Sequence, residues 1–283
     1  MKQAVKTRNP LLINDTTISP AVGVIHISDI DPTLKILEKY LGIDLVNNKI
    51  GSSGKRLYSG DIDVAITYGS STDIDQLILK LKSIPDVVSI TKSSVIMTVV
   101  KIPDYNPLKY TNTNSTGYVQ VDFMYHTNID FLKLYYHSPL ERDSKYKGSY
   151  RNILLAAIAH YHSNVFSDQK ILGDTPLYEE RYFWSPIGFY RGMKYSVLTQ
   201  DKKKIQKKKI NTIKSKIYYD ADSIVDLLDL TDAQSLDSFE TLYSDINSRY
   251  SKDLLSKIMA EFLDNSYIKL NGIPTECREY VRN

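Results

Sequence analysis

From Gly51 to Ile66 the chain reads Gly-Ser-Ser-Gly-Lys-Arg-Leu-Tyr-Ser-Gly-Asp-Ile-Asp-Val-Ala-Ile. The second half alternates as a strand does. Successive strand side chains point to opposite faces, so Asp61 and Asp63 share one face while Ile62 and Val64 share the other. Such a strand needs a sheet that is packed on one side and open on the other. The first half is a small-residue turn, Gly51 to Gly54, in which backbone amides and a hydroxyl can approach an anion such as a phosphate closely. Lys55 and Arg56 add positive charge beside it. Two aspartates on one face are hard oxygen ligands of the kind that suit Mg2+ or Mn2+. The block therefore brings an anion cradle and a pair of metal ligands together.

A chain of 283 residues can bury a sizeable core, in one large domain or two small ones. Apolar residues make up 42% and charged residues 24%, an ordinary globular balance. No run approaches the ~18 apolar residues of a membrane span. Residues 1–17 begin basic but lack an apolar segment, so no signal peptide is expected. Cys277 is the sole cysteine, which excludes an internal disulfide and any cysteine-rich metal site. A cytoplasmic setting is expected, with no membrane partner. Net charge is only +3, yet residues 191–216 carry ten basic residues against one acid, Asp201. Lys202, Lys203, Lys204, Lys207, Lys208 and Lys209 form the densest part of this stretch. A local excess of one sign attracts polyanions whatever the total charge, which makes these lysines candidate nucleic-acid contacts.

Residues 1–22 read as a loosely ordered arm. A short strand is expected near residues 22–27. Asp31-Pro32 then reads as the N-cap and first residue of a helix over Thr33–Leu41, closed by Gly42. Asp73–Ser83 shows helical spacing, Val87–Thr91 and Ser94–Ile102 read as a hairpin, and Val119–Tyr125 as a strand. The expected class is α+β: a small mixed sheet with helices on one side over residues 23–140, then a mostly α-helical region over 141–283. In that second region Tyr150–Ser163 reads as a helix, Tyr178–Tyr195 as aromatic and irregular, and the basic segment 191–216 as a helix with a solvated face. Ser223–Leu230 and Lys252–Leu263 read as further helices.

Asp122 supplies a third carboxylate, with Val121 and Phe123 turned to the core and Gln120 and Met124 turned with Asp122 to the open face. Two metals ~3.5–4 Å apart can activate an attacking oxygen and stabilise a leaving one, which needs a ligand on the attacker's side. The tripeptide Asp-Ile-Asp recurs at Asp29–Asp31 and Asp73–Asp75, where Asp31 and Asp73 read as helix-capping residues. Only Asp61–Asp63 has both a Gly-Ser turn before it and a strand pattern after it. His160 and His162 point to different faces of a helix and suggest no metal site. His126 reads as structural and Cys277 as an inert thiol.

Gly51-Ser52 followed by Asp61-Ile62-Asp63, with Asp122 on a later strand, resembles the signature of the DNA polymerase beta-like nucleotidyltransferases. The likeness covers roughly residues 45–160 and is greatest to the palm of the family X polymerases. It places Lys55 where that family has an arginine on the triphosphate. Leu134-Tyr135-Tyr136-His137-Ser138 resembles the aromatic element that receives the incoming sugar, although His137-Ser138-Pro139 replaces the family's Thr-Gly-Ser. Arg151-Asn152 matches the helix bordering the nucleotide. Residues ahead of Gly51 leave no room for the lyase domain or full fingers of family X, so templated gap filling is not expected. Compact enzymes of this kind occur in phages and other mobile elements, which would make the setting a host cytoplasm.

The resemblance implies transfer of a nucleoside monophosphate from an NTP or dNTP to a hydroxyl, most simply a polynucleotide 3′ end of RNA or DNA, releasing pyrophosphate. Asp61, Asp63 and Asp122 would be the catalytic metal ligands. Gly51, Ser52, Lys55, Tyr135, Tyr136 and Asn152 would hold the nucleotide. Two alternatives stand beside it: nucleotidylation of a protein or small molecule, as in a toxin or defence factor, and a non-catalytic nucleic-acid-binding module.

Overall fold

The computed structural model describes residues 20–67, 71–162, 177–201, 204–213 and 216–281. The chain divides after Ile129 into two compact units, each with its own apolar core.

In the first unit a two-residue strand β1 (Ile25–His26) leads into α1 (Ile27–Leu41). The helix starts earlier than Asp31-Pro32 suggests. The His26 ring caps the Ser28 amide at 3.2 Å, and Pro32 lies within the helix. Asp29, in the first turn, is anchored by Lys109 Nζ at 2.6 Å and the Tyr110 hydroxyl at 2.6 Å, so this end forms upstream of the local Asp-Pro signal. Burial of Ile30, Leu34, Leu37 and Leu41 gives the helix its packed stripe. Gly42, at φ 70°, closes it by donating to the Glu38 carbonyl at 2.8 Å.

The strands β2 (Lys49–Ile50), β3 (Tyr58–Ser59) and β4 (Asp61–Thr67) follow. After them come α2 (Ser71–Lys82), β5 (Val87–Lys92), β6 (Ile96–Lys101) and β7 (Tyr118–His126). Strands β1 and β3 pair with each other, and the rest form a five-stranded mixed sheet in the order β2-β4-β7-β6-β5. Only β4 and β7 are parallel, with Asp61 opposite Gln120 and Asp63 opposite Asp122. Ile62, Val64, Val121 and Phe123 are fully buried in one cluster with Leu34 and Leu37 of α1 and Leu77 and Leu81 of α2. Both helices therefore cover one sheet face, and the aspartates stand on the other.

The division falls at the first residue of α3 (Ile129–Tyr135), whose Phe131 joins the second core, so it lies nearer the N-terminus than residue 140. Helix α4 (Gly148–His162) follows, then strands β8 (Leu177–Ser185), β9 (Gly188–Asp201) and β10 (Lys204–Ile213). These strands form an antiparallel sheet, β10-β9-β8, where the sequence suggests an irregular stretch and a basic helix. Helices α5 (Ala221–Leu227), α6 (Phe239–Arg249), α7 (Lys252–Asp264) and α8 (Ser266–Asn271) complete the unit. Its core joins Leu154, Leu155 and Ile158 of α4 to Leu242 and Ile246 of α6 and Ile258, Met259 and Phe262 of α7. The whole is a mixed α+β protein, though its second half is less purely helical than expected. No described helix is long and apolar enough to cross a membrane.

Candidate metal centre

The parallel register of β4 and β7 places Asp63 beside Asp122, and the two-residue period adds Asp61 on the same face. One carboxylate oxygen from each of the three lies within 4.8 Å of the others. Among the described residues this is the one group of three or more acidic, His or Cys side chains so arranged. Asp122 is buried, at 7% exposure, while Asp61 and Asp63 are half-buried.

Three like charges out of water resist full ionisation. Burial, together with the charges of Asp61 and Asp122, pushes the Asp63 carboxyl up to about 8. The cluster thus has the donor set, the spacing and the surplus of negative charge that a hard divalent cation neutralises.

The turn before β4 is fitted to this carboxylate. Gly51 adopts φ 62°, and a Cβ added there would lie 2.4 Å from Asp63 Oδ2. A side chain at position 51 would have to push the Asp63 carboxylate aside. The turn is closed by hydrogen bonds from Ser53 N to Ile50 O at 3.4 Å and from Lys55 N to Ser52 O at 3.1 Å. Ser53, which the sequence did not single out, is buried, and its hydroxyl accepts the Asp63 amide at 2.7 Å, tying the turn to the strand. Ser52 and Lys55 are half-buried on the same turn. Gln120 shares this face, and its Nε2 donates to both oxygens of Asp122, at 2.8 and 2.9 Å. Its place two residues before Asp122 on one strand face is the signal that points to it.

The other Asp-Ile-Asp sites have structural partners. Asp31 is paired with Lys49 and lies inside α1 rather than capping it. Asp73 sits in the first turn of α2, and Asp75 meets Lys92 at 2.8 Å.

Tyr135, Tyr136 and Asn152 belong to the second unit. Tyr135 ends a helix, and its ring packs 5.1 Å from Trp184 and 6.0 Å from Phe131. Burial, with Tyr136 adding to it, pushes its hydroxyl up to about 12. The Asn152 Oδ1 accepts from Arg151 at 3.0 Å and from the Trp184 indole at 3.1 Å. Tyr135, Asn152 and Trp184 line a cleft of about 220 Å³ with Glu261 and Asn265. Arg151 is fully buried, and its guanidinium donates to the carbonyls of Leu134, Tyr135 and Leu236. His160 pairs with Glu261, and the His162 ring packs 5.3 Å from that of Tyr250. Lys204, Lys207, Lys208 and Lys209 fall on β10, paired along its length with β9, whereas Lys202 and Lys203 lie outside the described residues.

No protein-family model matches the chain, and no curated protein matches it at a significant level.

Proposed function

We propose that the chain is a metal-dependent nucleotidyltransferase that moves a nucleoside monophosphate from an NTP or dNTP to a hydroxyl of a polynucleotide. One observation carries this reading: three carboxylates from two adjacent parallel strands converge within 4.8 Å, beside a glycine turn where an added Cβ would meet one of them at 2.4 Å. Asp61 and Asp63 would hold Mg2+ or Mn2+, with Asp122 completing the attacker's side. A bound divalent ion supplies charge stabilisation for both the attacking and the leaving oxygen.

The chain's own residues then have definite tasks. The amides of the 51–54 turn, the Ser52 hydroxyl and Lys55 hold the β- and γ-phosphates, where negative charge grows as pyrophosphate departs. Asp122 accepts the acceptor's hydroxyl proton while that oxygen bonds to the α-phosphorus and the bond to the β-phosphate bridging oxygen breaks. Rate enhancement comes from alignment and fixed charge, with no covalent enzyme intermediate. The lysine-rich β10 stretch supports a polyanionic acceptor.

The test incubates the full chain with Mg2+ and each labelled nucleotide, offering RNA, DNA, protein and small-molecule acceptors. Transfer to RNA or DNA should appear and be lost at least about a hundredfold in Asp63→Asn and Asp122→Asn. Its acceptor affinity should fall steeply with salt as phosphate counterions are released. Transfer that survives both substitutions overturns the proposal, and label on protein or a small molecule overturns the acceptor.

A further inference from the structure

Resting on the metal reading of Asp61, Asp63 and Asp122, we propose that Gln120 sets which divalent cation the cluster accepts, by closing the chelating side of Asp122. The Gln120 Nε2 lies 2.8 Å from Oδ1 and 2.9 Å from Oδ2 of Asp122. A donor nearly equidistant from both oxygens stands on the bisector of the carboxylate. A cation held by both oxygens of Asp122 needs that same place. With the amide there, the chelating side is taken, and Asp122 ligates through one oxygen at a time.

That restriction separates cations. Ca2+ binds six to eight oxygens at roughly 2.3–2.6 Å and readily takes a carboxylate through both of them. Mg2+ requires six ligands in near-octahedral order at roughly 2.0–2.1 Å, and two oxygens of one carboxylate subtend too small an angle for that. Gln120 therefore withholds from Ca2+ the ligation it favours and leaves that of Mg2+ intact. A neutral amide does this without cancelling the charge of Asp122, as an arginine or lysine in its place would. The position is held from two sides: Gln120 lies two residues from Asp122 on β7 and is the register partner of Asp61 on β4.

The test measures Mg2+ and Ca2+ binding to the full chain by calorimetry, without nucleotide, in wild type, Gln120→Leu and Gln120→Asn. Leucine removes the donor, and asparagine keeps the amide but shortens its reach by one methylene. The ratio Kd(Ca2+)/Kd(Mg2+) is expected to fall by roughly fivefold or more in both variants. In Asp122→Ala the further change at Gln120 should have no effect on that ratio. General loosening of the sheet weakens both ions together and leaves the ratio where it was. A ratio unchanged or raised in a folded variant, with both ions still bound, overturns the role of Gln120 alone. A wild-type chain that binds neither ion overturns the metal reading itself and this inference with it.

Discussion

At Gly51 the positive φ and the 2.4 Å approach that an added β-carbon would make to Asp63 act on different properties. The left-handed backbone costs an alanine about 1 kcal/mol. The clash is with the end of a side chain that can rotate away, and rotation takes the Asp63 oxygen out of the cluster. Gly51→Ala is therefore expected to melt only slightly below wild type while losing at least about tenfold in Mg2+ affinity, as melting curves and metal titration would show. Asp63 also gives a pH dependence. Its carboxyl, ordinarily at 3.8, is raised to about 8 in the folded, metal-free chain. The folded state then holds a proton that the unfolded chain has released, so this contribution is fully present below about pH 4 and is lost as pH rises through about 8. In EDTA, stability should decline over that window, and the decline should be smaller in Asp63→Asn. Mg2+ at a hundred times its Kd should restore about 2.7 kcal/mol at pH 8 in wild type and far less in the variant.

Among the elements, β4, β7 and the β5–β6 hairpin are legible in the sequence, whereas α3 and the β9–β10 hairpin are not. Strands β4 and β7 are legible because each alternates apolar and polar residues and their Asp residues fall on the polar phase. The hairpin β5–β6 is legible from two β-rich runs around Lys92-Ser93. The lysine run reads as a helix because lysine has a high helix propensity, yet its ten residue pairs with β9 are set by tertiary pairing and leave no periodic trace. Likeness to an aromatic motif draws attention to Tyr135, while the strongest local determinant lies elsewhere, in Arg151. The buried guanidinium gathers the carbonyls of Leu134 and Tyr135 at the last turn of α3 and that of Leu236, at 2.6–2.9 Å. Burial lowers it to about 10, so it stays charged near neutrality. Arg151→Met leaves those carbonyls without their donor and should destabilise the second unit by about 3 kcal/mol or more. A chemical denaturation midpoint close to that of wild type would refute this role.

For the molecule as a whole, the informative fact is that two cores share no residue: one spans Ile25 to Phe123, the other Phe131 to Cys277. The three carboxylates stand on strands of the first unit, whereas the only tryptophan, Trp184, and the only cysteine, Cys277, belong to the second core. Burial, with Glu276 and Glu279 nearby, pushes the Cys277 thiol up to about 12, so it reacts with a thiol reagent only when its unit opens. Heating with and without Mg2+ should thus give a calorimetric transition that moves with metal, while Trp184 fluorescence and Cys277 labelling keep their midpoint. Equal movement of all three signals would mean that the units melt as one. This division is not legible in the sequence, because the boundary falls at the start of a helix, without a proline- or glycine-rich linker to announce it.

The in-register pairing of β4 with β7 has one further consequence. Asp63 and Asp122 face each other through a hydrogen-bonded ladder, not through the chain that joins them, which passes through α2 and the hairpin β5–β6. Residues added or exchanged at the exposed tip of that hairpin, Ser93-Ser94, leave the ladder where it is. A lineage can rewrite the periphery of such a unit almost wholesale and still pass on its three acids at the same spacing, because what is inherited is a register and not a string of letters.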